Sequence, residues 1–239
     1  MQQMVFHLFP PAPATFANFV PGHNSEVVDA LRRFIDAHGN GTARSSSTND
    51  ATSFYLWGAH GTGKSHLIRA AADDAHARGY PCITVDVSSK TFPNIDQPPS
   101  LWLIDDVDTG GDEAQAWLFT LYNHLRENGG ALIASAAQPP ARLPFRDDIR
   151  TRLGWGFIYE VLMLDDAQKT ETLKDYARAK GLKLSDDIVA YILKMVSRNM
   201  RSLIALIDAL DDYSLSLKRP LTLPLVRVWL QRQNEAKST

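Results

Sequence analysis

Gly58-Ala59-His60-Gly61-Thr62-Gly63-Lys64-Ser65 fits the pattern G-x-x-x-x-G-K-[ST], and both of its flanks fit the context that the pattern requires. Phe54-Tyr55-Leu56-Trp57 ahead of it is an apolar run of strand character. Behind it, His66 to Arg78 carries Leu67, Ile68, Ala71, Ala72 and Ala75 at helical spacing. The three glycines let the backbone curl with its N–H groups turned inward, at the positive end of the following helix, a geometry that holds phosphate. Gly61, Thr62, Gly63, Lys64, Ser65 and His66 are therefore the expected nucleotide-binding residues. Lys64 would reach the outer phosphates, and the Ser65 hydroxyl would hold Mg²⁺.

Downstream, the helix ends at Gly79, and Cys82-Ile83-Thr84-Val85-Asp86-Val87 has the pattern of a buried strand. Strand, helix, strand in this order predicts an α/β fold with a parallel sheet flanked by helices. Ser100-Leu101-Trp102-Leu103-Ile104 is the next strand, and it ends abruptly in Asp105-Asp106. Acids at that point emerge at the carboxyl edge of the sheet, beside the phosphate loop. Asp105 is expected to hold Mg²⁺ and Asp106 to orient or activate an attacking water, while Asp108 reads as a turn residue. A helix over Asp112 to Asn128, with Trp117, Leu118, Leu121, Tyr122 and Leu125 on its apolar stripe, leads to a strand at Ala131 to Ser135. Prolines 139, 140 and 144, a short charged helix near Arg146 to Arg152 and a Gly154-Trp155-Gly156 turn precede a strand at Phe157 to Val161. From Asp165 onward the pattern is helical only.

Upstream, Val27, Val28, Leu31, Phe34 and Ile35 predict a helix capped by Asn24 or Ser25, and the polar Gly39 to Asp50 reads as a surface loop. Residues 1–14 stand apart as a short apolar peptide followed by a proline-rich spacer. The 239 residues can bury a sizeable core, and the single cysteine, Cys82, excludes a disulfide framework and reads as a small core residue. A cytoplasmic location follows from that cysteine usage, and no apolar run long enough to cross a membrane is present. A net charge of −2 lacks the basic excess of a dedicated nucleic-acid binder and leaves a local basic patch open.

Several stretches together resemble the AAA+ ATPases of the DnaA initiator branch. They are Thr15-Phe16-Ala17-Asn18-Phe19 with Pro21-Gly22-His23-Asn24, the phosphate loop, Leu103-Ile104-Asp105-Asp106, Thr151-Arg152-Leu153-Gly154-Trp155-Gly156, and Asn199-Met200-Arg201-Ser202-Leu203. The resemblance implies a nucleotide-binding α/β domain over 15–162, a helical lid domain over 163–239, and ADP or ATP as ligand. It places Val20 and Asn24 near the adenine, makes Arg152 an arginine finger acting in trans, and makes Arg201 the sensor arginine of the lid, with Arg198 as a competing choice. DnaA initiators continue into a helix-turn-helix DNA-binding domain, whereas this chain stops at Thr239. It is therefore expected to be similar to the shortened regulators of that branch, which promote hydrolysis of DnaA-bound ATP together with the replication sliding clamp, the DNA polymerase III beta subunit. Gln3-Met4-Val5-Phe6-His7-Leu8 is similar to the clamp-binding hexapeptide, which makes Gln3, Met4, Phe6 and Leu8 the expected clamp contacts. Two departures from the branch argue for weak or no intrinsic hydrolysis. Ser135-Ala136-Ala137 stands where relatives carry a polar residue, leaving only Ser135 to position a water, and Asp106 stands where most AAA+ enzymes use glutamate. An autonomous ATPase of the helicase-loader type is the alternative, and the sequence leaves self-association into a homo-oligomer open.

Overall fold

The computed structural model describes residues 13–39, 52–89, 91–96, 101–195 and 199–235, arranged as two compact units, 14–163 and 164 onward. The expected clamp contacts Gln3, Met4, Phe6 and Leu8 lie outside the described residues, as do Arg198 and the Gly39 to Asp50 loop beyond Gly39 itself.

In the first unit, helix α1 (Ser25–His38) precedes strand β1 (Ser53–Trp57), α2 (Lys64–Ala77) and β2 (Cys82–Val85). Strand β3 (Leu101–Ile104), α3 (Asp112–Asn128), β4 (Ala131–Ala136), α4 (Asp147–Leu153) and β5 (Phe157–Glu160) complete it. The strands form one parallel sheet in the order β2-β3-β4-β1-β5. Alternation along each strand divides its side chains between two helix layers. Leu101 and Leu103 of β3 join Phe54, Leu56 and Ile133 against Leu31, Ile35, Leu67 and Ile68 of α1 and α2. Trp102 and Ile104 join Tyr55, Leu132 and Ala134 against Leu121, Leu125, Ile149 and Leu153 of α3 and α4. Burial on both faces is why β1, β3 and β4 read as continuous apolar runs. Each fully buried leucine or isoleucine there contributes roughly 1.5–3 kcal/mol.

Three local expectations are corrected. Strand β2 lies at the sheet edge, so among its residues only Val85 is buried, and Cys82 is a half-buried edge residue rather than a core one. Its thiol lies 3.6 Å from His76 Nδ1. Helix α2 begins at Lys64, two residues before the expected start at His66, because Gly63 at φ 106° turns the chain directly from the loop into the helix. Asn24 makes no side-chain cap on α1; its amide is used elsewhere.

The second unit comprises α5 (Asp166–Ala179), α6 (Asp186–Met195), α7 (Met200–Leu217) and α8 (Leu223–Glu235). Asp165 and Gln168 form a reciprocal capping box at the start of α5, and Asn199 accepts from the Ser202 N–H to cap α7. Leu173, Ile188, Ile192, Leu203, Ile207, Leu210, Val226 and Trp229 form the core of this unit. Among the described residues no helix is long and apolar enough to cross a membrane.

Candidate functional site

The strand order decides which loops meet. Because β4 is inserted between β1 and β3, the loop after β1 and the acids after β3 open on the same edge, flanking the end of β4. The β1–α2 loop is a glycine-dependent structure: Gly58, Gly61 and Gly63 have φ of 155°, 85° and 106°. A Cβ on Gly58 would lie 2.5 Å from the Val161 carbonyl oxygen, and one on Gly63 would lie 2.8 Å from the Phe19 ring. Thr62 Oγ1 donates to the Ala59 carbonyl at 3.0 Å. Lys64, 6% exposed, lays its ammonium over the loop and donates to the Gly58 and Ala59 carbonyls at 2.9 and 3.2 Å. Ser65 and His66 follow in the first turn of α2, where backbone N–H groups have no partner within the helix.

His66 Nε2 lies 2.9 Å from the Thr15 carbonyl oxygen, an acceptor only, which fixes the proton on Nε2. Its ring lies 5.3 Å from that of Phe19. Thr15 and Asn18 exchange hydrogen bonds, the Thr15 N–H to Asn18 Oδ1 at 2.9 Å and the Asn18 N–H to Thr15 Oγ1 at 3.2 Å. The turn so formed lies against the phosphate loop. Phe19 and Thr15 are thus site residues that the pattern of the loop alone does not disclose. Val20 is half-buried beside them. Asn24, 2% exposed, donates through Nδ2 to the Leu162 carbonyl at 2.9 Å and accepts from the Leu162 N–H at 2.7 Å. Its side chain is committed to the backbone beyond β5, so it acts here as a clamp between distant segments.

At the end of β3, Asp105 Oδ1 accepts from Ser135 Oγ at 2.6 Å, and the Asp106 N–H donates to the same hydroxyl at 2.9 Å. Ser135 is fully buried, which corrects the expectation that it positions a water. Asp106 has φ 47° and ψ 56°, a left-handed conformation uncommon for a residue with a Cβ. Burial raises its carboxyl above the usual range, and repulsion from Asp105 adds to this, while the Lys64 charge opposes it. Asp108 Oδ2 accepts from the Ala137 N–H at 3.0 Å, tying the turn after β3 to the end of β4.

The donor set suits a nucleotide with Mg²⁺. Glycines at 58, 61 and 63 give the loop the positive-φ backbone of a phosphate cradle, and Ser65 and Asp105 supply hard oxygen donors. Among the described residues no group of three His, Cys, Asp or Glu side chains could hold a metal by itself. Mg²⁺ takes few protein ligands and completes its shell with phosphate and water.

Arg152 lies in α4, away from these residues in sequence. Its guanidinium carbon stands 3.9 Å from the centre of the Phe119 ring and 5.9 Å from that of Trp155. Nε donates to Asn123 Oδ1 at 3.1 Å and Nη1 to the Asp148 backbone carbonyl at 3.2 Å. Its neighbours differ: Arg146 pairs with the Asp148 carboxylate and Arg150 with that of Asp147. Among the described residues no carboxylate pairs with Arg152. Phe119 and Asn123, one turn apart on α3, are a mount for this arginine that no sequence motif announces. Arg201 is exposed in the first turn of α7, in the helical unit.

This strand order, loop and acid pair define a AAA+ fold, and comparison with solved structures agrees. Domain III of the replication initiation protein DnaA from Thermotoga maritima aligns over 94% of this chain and 98% of its own, with 19% identity and a TM-score of 0.70. AMPPCP-bound DnaA from Aquifex aeolicus aligns over 83% of this chain with 22% identity and a TM-score of 0.67; the chain spans 65% of that protein. The RuvB Holliday junction branch migration motor of Thermotoga maritima aligns over 92% of this chain and 72% of its own, with 15% identity and a TM-score of 0.62. Within this class the helical unit is more specific. Residues 166–230 match the family described as Hda, lid domain.

Proposed function

We propose that the protein binds ADP or ATP with Mg²⁺ in the phosphate loop and serves as a regulator of replication initiation, stimulating hydrolysis of ATP held by DnaA. The observation that carries this reading is the state of Arg152. It is held in a fixed direction by Phe119 and Asn123, yet among the described residues no carboxylate pairs with it, whereas Arg146 and Arg150 beside it are neutralised. Stacking on an aromatic face and two neutral acceptors orient a guanidinium without cancelling its field. Such a group, presented to a neighbouring subunit, stabilises charge on a transferring phosphoryl group and is worth about 10³ to 10⁵ in rate.

In this reading the backbone of Gly61 to His66 and Lys64 hold the phosphates, and Ser65 and Asp105 hold Mg²⁺. Bound Mg²⁺ would neutralise phosphate charge. Asp106, with its raised carboxyl, serves as the group beside the water, and Arg201 is the sensor arginine of the lid. Residues 15–24 border the base, with Val20 and its backbone as the contact and Asn24 fixing the segment. Gln3, Met4, Phe6 and Leu8 tether the protein to the sliding clamp in the cytoplasm, and DNA is reached through that clamp.

The test is reconstitution of clamp, DNA, DnaA-ATP and this protein, following hydrolysis of the DnaA-bound nucleotide. Arg152→Ala is expected to abolish stimulation and Arg152→Lys to restore little of it, while both keep nucleotide affinity. Stimulation that persists in Arg152→Ala overturns the proposed mechanism. Fast steady turnover by the isolated chain, lost in Lys64→Ala, would instead favour an autonomous ATPase.

A further inference from the structure

The hydroxyl of Ser135 occupies a position between the two acids that neither the motif after β3 nor the phosphate loop assigns. We propose that Ser135 is a positioning residue for the metal, its hydroxyl turning the Asp105 carboxylate for Mg²⁺ and holding the Asp106 backbone in its left-handed conformation.

The geometry is specific. A serine hydroxyl has one hydrogen to give, and this one goes to Asp105 Oδ1 at 2.6 Å, the short range of a hydrogen bond to a charged acceptor. The same oxygen accepts the Asp106 N–H at 2.9 Å, so one buried group fixes a side chain and the next peptide together. Ser135 itself cannot drift, because β4 is paired on both sides and the residue is fully buried. With Oδ1 engaged, the Asp105 carboxylate loses its freedom to rotate, and Oδ2 becomes the oxygen not held by Ser135. The N–H bond matters for the second acid. Asp106 at φ 47° would relax toward the ordinary regions if its N–H lost its acceptor, and its carboxylate would turn with it. Partners that orient a metal-binding carboxylate in this way matter to affinity although they never touch the metal.

The assignment rests on the nucleotide and Mg²⁺ reading above, so its test has one arm independent of that reading. In the first arm, hydrogen exchange of the Asp106 amide is followed in the full chain without nucleotide. It is expected to be protected in the wild type and to exchange faster in Ser135→Ala, with protection restored in Ser135→Thr. Unchanged protection in Ser135→Ala overturns the inference whatever the protein binds. In the second arm, ADP affinity is measured by calorimetry with Mg²⁺ and with EDTA. Ser135→Ala and the near-isosteric Ser135→Cys are expected to lower the Mg²⁺-dependent gain in affinity about tenfold or more, leaving affinity in EDTA nearly unchanged, with Ser135→Thr recovering it. Equal losses with and without Mg²⁺ mark a merely structural serine and overturn the proposal. A wild-type protein that binds no ADP removes the nucleotide reading itself, and the metal role with it.

Discussion

Asn24 joins two segments that are 138 residues apart, and its replacement separates hydrogen bonding from charge. The side chain is 2% exposed and makes two bonds to one backbone unit, Nδ2 to the Leu162 carbonyl at 2.9 Å and Oδ1 from the Leu162 N–H at 2.7 Å. A neutral hydrogen bond nets about 0.5–1.5 kcal/mol, so Asn24→Ala should cost about 1–3 kcal/mol. Asn24→Asp keeps the acceptor but replaces the donor with an oxygen facing a carbonyl oxygen, and it puts a charge where water has little access. It should therefore cost more than Asn24→Ala at neutral pH, by roughly 1–3 kcal/mol. Acid reverses this difference. Burial raises the introduced carboxyl above its unfolded value, so its penalty is present above the folded pKa and disappears below the unfolded one, where the protonated group can again donate. The assay is urea denaturation at neutral and mildly acid pH, read from tryptophan fluorescence, with Trp102 at 1% exposure reporting the α/β core. Equal losses for the two variants at neutral pH, or a gap that widens on acidification, would refute the reasoning.

Two more perturbations test the architecture around the site. Gly156→Ala would place a Cβ 2.0 Å from the Ser53 carbonyl oxygen, a backbone atom in the paired strand β1, so we expect a loss of about 2–4 kcal/mol in denaturation and a displaced β5; a variant as stable as the wild type would contradict the close approach. Asp106→Asn should raise the thermal midpoint of the nucleotide-free protein at neutral pH, because burial and Asp105 disfavour the ionised carboxyl, and asparagine accepts the left-handed conformation. The folded pKa being raised, the gain should shrink as pH falls and vanish below the ordinary carboxylate range; destabilisation at neutral pH would count against the stated causes.

Much of this fold is legible in the chain because local chemistry and long-range packing agree. The glycines of the phosphate loop have one use in that context, and the apolar runs of β1, β3 and β4 are long enough to demand burial on both faces. The limits are equally physical. Cys82 to Val85 has the composition of a buried strand, but whether a parallel strand lies inside the sheet or at its edge depends on strand order, which composition does not carry. Asn24 sits where an N-cap belongs, yet a partner far along the chain competes for its amide and wins. The mount of Arg152 shows the same limit: Phe119 and Asn123 share a face of α3, but nothing in their spacing says which residue that face holds. Ser135 is visible in the sequence as a polar residue near the acids, and only the pairing of β3 with β4 reveals that its hydroxyl is already used.

The insertion of β4 bears on where hydrolysis would occur. Strands lie roughly 4.8 Å apart, so one intervening strand separates the loop after β1 from the acids after β3 by roughly 9–10 Å, room for phosphates and a hydrated cation. Strand β4 ends in Ser135 and Ala136, with Ala137 next: the serine hydroxyl is directed to Asp105, the Ala137 N–H to Asp108, and the Ala136 methyl is buried in the core against α3 and α4. A water in the gap would find Asp106 but no second polar side chain from β4 to complete its alignment. Alignment of an attacking water against an in-line phosphoryl group is most of what an active site of this kind contributes. This is why the proposal assigns hydrolysis to the partner's nucleotide and gives Arg152 the principal role.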